Sequence, residues 1–170
     1  MTSTDLEGTL RESHGEMYSW AVTCCRGDYG EAEELLQETY LRVLDGRLSF
    51  RGDSSFKTWL FAVLRRAALD RRRRVAARLA LLGRWVRPAV ARPGRQEQHA
   101  IADEQAQKIR ALLASVSARQ RQVLELVFYH ELALREAAEV MGVSIGTASR
   151  HYHRGKRVLL AKLEEAGLER

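Results

Sequence analysis

Apolar positions in this chain recur every three or four residues and almost never alternate, so the pattern predicts helices and no sheet. In residues 31–45, Ala32, Leu35, Leu36, Thr39, Tyr40 and Val43 form one stripe, and Glu33, Glu34, Gln37, Glu38 and Arg42 fill the opposite face. An earlier helix is expected from about Leu10 to Cys25, closed by the turn signal Arg26-Gly27-Asp28. Residues 46–55 break the pattern with Gly46, Gly52, Asp53, Ser54 and Ser55. A serine there can cap the next helix, because its oxygen accepts from the unpaired amides of the first turn. That helix has the most regular stripe: Phe56, Trp59, Leu60, Val63, Leu64, Ala67 and Ala68, with Arg65, Arg66, Arg72 and Arg73 off it.

Periodicity fades over residues 79–104, where Gly83, Pro88, Pro93 and Gly94 interrupt the chain, and this stretch is expected to be a flexible linker. Fully extended, it would span roughly 85–90 Å, against about 34–36 Å for one turn of DNA. The expected organisation is therefore all-α, with one helical module in residues 1–78 and a second in 105–170. In the second, Ile109, Leu112, Leu113 and Val116 form a first stripe. Ser117-Ala-Arg-Gln120 matches a capping box that opens a helix with Val123, Leu124, Val127 and Phe128 as its core face. Residues 135–150 then predict two helices meeting at a tight turn. Ala138 is small where they touch, Gly142 can take positive φ, Ser144 can cap the second helix, and Val140, Val143, Ile145 and Ala148 can fill the inner angle.

Charge changes this picture by segment. The net charge is +6 overall, yet residues 1–50 carry four Arg against ten acids, whereas residues 65–95 carry eleven Arg and one Asp. An acidic head and an arginine belt imply different partners, the belt's being a polyanion. A solvated helix end would also account for Arg71 to Arg74, since the helix dipole favours cations there. No apolar run reaches the roughly 18 residues of a membrane span, and the polar, acidic N-terminus lacks a signal-peptide layout, so a cytoplasmic protein without membrane insertion is expected. Cys24 and Cys25 are adjacent and read as buried free thiols. No CxxC pair is present, and His151 and His153 fall on different faces of a helix, so neither metal nor other cofactor is expected.

The helix predicted after Ser144 offers Thr147, Ser149, Arg150, His153, Arg154, Lys156 and Arg157. An α-helix fits the major groove, where Arg reads guanine edges and Lys or Arg grips phosphate. Phe56, Trp59 and Phe61 beside the arginines suit unstacked bases, although Trp59 lies on the core stripe itself, so packing and stacking roles both stay open. No carboxylate cluster with metal spacing, phosphate loop or nucleophile–base pair is present, and an enzyme is not expected. A stand-alone helix-turn-helix regulator is the alternative, but it would more often carry a sensor or dimerisation domain in place of the acidic and arginine-rich helices.

Three segments together resemble the extracytoplasmic-function (ECF) group of sigma-70-type sigma factors: Ala32-Glu-Glu-Leu-Leu-Gln-Glu-Thr-Tyr-Leu-Arg-Val-Leu44; Phe50-Arg-Gly-Asp-Ser-Ser-Phe-Lys-Thr-Trp-Leu60 with Ala68-Leu-Asp-Arg-Arg72; and Ser144-Ile-Gly-Thr147 through His153-Arg154. The resemblance covers roughly residues 10–75 and 105–163. It implies that Glu34, Leu36, Gln37, Glu38 and Leu41 dock core RNA polymerase. It implies that Phe50, Arg51, Ser54, Ser55, Lys57, Trp59, Arg65, Arg66, Arg72 and Arg73 take a flipped base of the promoter −10 element and help melt the duplex. The last helix would read the −35 element, and an anti-sigma factor would restrain the protein. The family often has Asn where Arg66 stands, Val and Lys at Ala148 and Ser149, Arg and Leu at His151 and Tyr152, and Ile at Ala137. The departure at Arg66 bears on the −10 base preference, those at Ala148, Ser149, His151 and Tyr152 imply an unusual −35 sequence, and Ala137 implies looser packing of the motif's first helix.

Overall fold

The computed structural model describes residues 3–81 and 115–165. The chain divides into two compact units, residues 1–96 and 97–170, and the described residues hold helices and no strand. The first unit contains α1 (Ser3–Glu12), α2 (His14–Cys24), α3 (Tyr29–Leu44) and α4 (Phe56–Leu81). The helix expected over Leu10–Cys25 is two helices. Ser13 has ψ near zero (φ −85°, ψ −1°), which turns the chain between them, and Ser13, His14 and Gly15 are weak helix formers.

Trp20 is the centre of this unit. It is fully buried, stacks on Phe61 at 5.6 Å, and its indole N–H donates to the Phe61 carbonyl at 3.0 Å. Burying one such side chain contributes about 1.5–3 kcal/mol. Met17 and Ala21 of α2, Leu35, Leu36 and Val43 of α3, and Leu60 and Leu64 of α4 complete the core. The buried arc of α4 is Thr58, Leu60, Phe61, Leu64 and Ala68, rotated from the expected stripe because α4 packs against both α2 and α3. Phe56, Trp59, Val63 and Ala67 fall on its margin.

Local chemistry sets the ends. Arg26 at φ 59° and Gly27 at φ 88° close α2, with Gly27 N–H donating to Val22 C=O and Arg26 N–H to Thr23 C=O, the paired bonds of a Schellman cap. Asp28 Oδ1 accepts from Glu31 N–H at 2.9 Å to open α3. Ser55 Oγ accepts from Thr58 N–H at 3.1 Å to open α4. That helix runs to Leu81, three residues into the stretch expected as linker, and residues 82–104 lie outside the described residues.

The second unit contains α5 (Ala118–Phe128), α6 (Leu134–Met141) and α7 (Ile145–Glu165). The Ser117 capping box forms: Ser117 Oγ accepts from Gln120 N–H at 3.4 Å, and Gln120 Oε1 accepts from Ser117 N–H at 2.9 Å. Val123, Leu124 and Leu126 are the core face of α5. Phe128, expected in that core, is 61% exposed and stacks on Tyr152 at 5.8 Å, because Leu126 takes the inward position. Val116 is buried, whereas Ile109, Leu112 and Leu113 lie outside the described residues.

Candidate nucleic-acid interface

The two helices expected over 135–157 are α6 and α7. Gly142 sits in the left-handed region at φ 62°, ψ 41°. Its N–H donates to Glu139 C=O and that of Val143 to Ala138 C=O. Ala138, Val140 and Ala148 are buried in the angle and Val143 is half-buried. Ile145, the first residue of α7, is 52% exposed, contrary to expectation.

Ser144 caps α7. Its Oγ accepts from Thr147 N–H at 3.2 Å and shares a hydrogen bond with the Thr147 hydroxyl at 2.9 Å, while Arg150 Nη2 donates to Thr147 Oγ1 at 3.3 Å. Thr147 is thus part of the cap and orients Arg150. Arg150, His153, Arg154 and Arg157 recur at helical spacing on the exposed side; Lys156 is exposed beside them and Ser149 is half-buried. No acidic residue occurs from 140 to 163. The half-buried His151 reports the resulting field: burial first, then the charges of Arg119, Arg150 and Arg154, hold it below the usual histidine value. Arg119, on α5, joins this cationic surface from outside the motif.

In the first unit, Phe50, Phe56 and Trp59 form a triangle of rings with centroids 5.4–5.5 Å apart. They line an open cavity of about 420 Å³ with Leu6, Val43, Arg51 and Gly52. Trp59 is half-buried and so serves both packing and the cavity wall. Phe61 does not: it is fully buried and unavailable to a base. The expected strand-contacting residues divide further. Arg51, Arg66 and Arg73 are exposed, and Arg65 and Arg72 are half-buried. Ser55 Oγ is engaged as the α4 cap, and the Ser54 hydroxyl donates to Ser55 C=O at 3.4 Å. Lys57 is paired with Glu16 at 2.8 Å, so its charge is already answered within the fold.

On α3, Glu34, Gln37, Glu38 and Leu41 are exposed. Leu36 is 2% exposed and belongs to the core, so it supports the helix and offers a partner almost no surface. Arg71 of α4 lies 3.3 Å from Glu34 and 3.7 Å from Glu38. Sequence spacing alone does not bring these residues together. Cys24 and Cys25 are buried and free, and burial, followed by the charge of Glu31, pushes the Cys25 thiol up to about 12. Among the described residues no group of three His, Cys, Asp or Glu could hold a metal, and no helix is long and apolar enough to cross a membrane.

Residues 10–78 match Sigma-70 region 2 and residues 106–159 match Sigma-70, region 4. The chain is 31% identical over 158 residues to the ECF RNA polymerase sigma factor SigX of Bacillus subtilis, a match covering 89% of this chain and 79% of that protein. The chain belongs to the ECF sigma factors. It is also 32% identical to the ECF RNA polymerase sigma factor SigC of Mycobacterium tuberculosis, over 85% of this chain and 77% of that one. Two solved structures share the fold. One is the sigma factor RpoE in complex with the anti-sigma factor NepR from Bartonella quintana (TM-score 0.70, 22% identity, 94% of this chain and 97% of that one). The other is CnrH in complex with the cytosolic domain of CnrY (TM-score 0.64, 19% identity, 96% and 90%). As an ECF sigma factor the protein serves RNA polymerase in transcription, and a stand-alone regulator is not favoured. The aromatic cavity falls largely within its region 2 match, and α6 and most of α7 fall in its region 4 match.

Proposed function

We propose that the first unit docks core polymerase and holds the opened −10 strand, that the second reads the −35 duplex, and that the stretch after α4 tethers them. The observation that carries this reading is the aromatic cavity at the start of α4, with arginines along the same helix. A regulator that binds only duplex DNA has no use for a stacking surface of this kind. Unstacking a base costs a few kcal/mol, and three rings with an arginine at the rim offset part of it. Glu34, Gln37, Glu38 and Leu41 form the docking face, supported from behind by Leu36. Arg150, Arg154 and Arg157 meet bases and phosphates in the major groove, Lys156 and His153 extend the contact, and Ser149 and Thr147 hold the helix start. The protein has no chemistry of its own and works in the cytoplasm. The anti-sigma factor named with the RpoE structure supports a protein inhibitor here as well.

Transcription in vitro with core polymerase over a promoter library tests this reading. The expected result is promoter-specific initiation with polymerase present and only weak duplex binding by the protein alone. Tight operator binding without polymerase would refute it.

A further inference from the structure

The aromatic cavity has one wall that comes from outside the matched family region. Leu6 lies on α1, ahead of residue 10 where the region 2 match begins. It lines the cavity together with Val43 of α3 and the rings of Phe50, Phe56 and Trp59. Its position follows from helical spacing. Leu10, one turn further on, is 3% exposed and anchors α1 in the core. Residues at i and i+4 share a face, so the anchor aims Leu6 at the cavity. Leu6 itself is half-buried, and α1 packs chiefly against α3 and α2. The α4 and loop walls are fixed by ring–ring contacts and by the Ser55 cap, whereas the Leu6 wall is a single aliphatic side chain.

We propose that Leu6 sets the depth of the base cavity and is a specificity-determining residue for the unstacked promoter base. This rests on the reading of the cavity as a base site. The three rings supply sequence-tolerant stacking, which every base can use. Discrimination by size then falls to whatever closes the far side, and that is Leu6 with Val43. One methylene in a closed apolar pocket discriminates about ten- to two-hundred-fold. This cavity is open on one side, so an effect near the lower end is expected.

The test uses holoenzyme assembled from the full chain and core polymerase, on a promoter selected with the unaltered protein. Templates carry each of the four bases, or an abasic sugar, at the unstacked position, and open-complex formation is measured on each. Leu6→Trp fills the cavity and is expected to lower opening about tenfold on base-bearing templates while leaving the abasic template unchanged. Leu6→Ala is expected to narrow the difference between one-ring and two-ring bases severalfold. Glu7→Trp places the same ring on an exposed position of α1 and should do neither. If both Leu6 variants match the unaltered protein while Trp59→Ala loses base-dependent opening, the cavity is a base site but Leu6 is not its wall, and the inference is overturned. If Trp59→Ala also leaves every template unchanged, the base-site reading itself fails. Equal losses from Leu6→Trp on abasic and base-bearing templates, or from Glu7→Trp, would reduce Leu6 to a general structural role and likewise overturn the inference.

Discussion

Gly155→Ala sets two opposing effects against each other in the middle of α7. Helix propensity favours alanine by about 1 kcal/mol, because glycine loses more backbone freedom on folding. Space opposes it. Gly155 is buried, and a Cβ there would lie 2.8 Å from Leu124 Cδ1, 3.1 Å from Gln120 Cβ and 3.4 Å from Leu124 Cγ. Gln120 Cβ is one bond from the α5 backbone and cannot retreat unless the helix does. Leu124 is 4% exposed, so its methyl has no open space to swing into. Overpacking of this kind costs about 1–3 kcal/mol, so the clash wins by about 1 kcal/mol. For a unit of this size the melting temperature then falls by roughly 4–8 °C. The three tryptophans, Trp20, Trp59 and Trp85, all precede residue 97. Tryptophan fluorescence therefore follows the first unit and should be unmoved, while far-ultraviolet circular dichroism shows the second unit melting earlier. Gly155→Val, which adds a branch and forgoes the propensity gain, should melt earlier still. A raised melting temperature for Gly155→Ala would show that α5 and α7 have room to spare and would refute the packing argument.

Ser117→Ala removes half of the α5 capping box and should cost about 1 kcal/mol in urea unfolding of the second unit. For Cys25, the folded thiol is raised from 9.0 to about 12, so the unfolded chain ionises first as pH rises. The first unit should therefore lose stability from about pH 9 toward 12, and Cys25→Ala should flatten that loss. Tyr40, raised by burial from 10.0 to about 12, leaves a remainder above pH 10; urea midpoints taken below and above pH 9 check both statements. Arg150→Ala or Arg154→Ala should remove about 1–3 kcal/mol of discrimination at single −35 positions, and a promoter mutation profile unchanged by both would move the reading surface elsewhere. Arg71→Gln frees Glu34 and Glu38 at little cost in stability, because both carboxylates are exposed and only Arg71 is half-buried; a loss well above 1 kcal/mol in urea would contradict this.

The turn between α6 and α7 was legible because its determinants are local: a small residue, a left-handed glycine and a serine cap within seven positions. The capping box at Ser117 was legible for the same reason. What the sequence hid depends on packing between distant segments. The phase of the α4 stripe is set by two neighbouring helices at once, which makes Phe61 core and leaves Phe56 and Trp59 at the cavity. Lys57 was expected to be available to a strand, and only the approach of Glu16, forty-one positions away, removes it. Leu36 sits inside a stripe that sequence reasoning had already marked as core, yet the family resemblance named it as a contact; burial decides for the core. Gly155 was not marked either, since α7 also contains Gly146, where a Cβ would meet nothing within 4 Å, and only the packing of α5 tells the two glycines apart. Leu6 carried no signal. The bend at Ser13 that gives α1 its own direction lacks proline, and its single nearby glycine is not distinctive.

From Arg73 to Leu81 every residue of α4 is exposed, including Val75 at 57% and Leu81 at 86%. This arm therefore gets little support from packing, while Arg74 and Arg78 place like charges one turn apart. Its winding is in consequence a gauge of the ionic surroundings. Dilute buffer loosens it, added salt tightens it by screening, and a polyphosphate chain laid along it tightens it most. The amount of helix in the free protein and in the promoter-bound protein should thus differ at this one place, even if nothing else in the first unit moves.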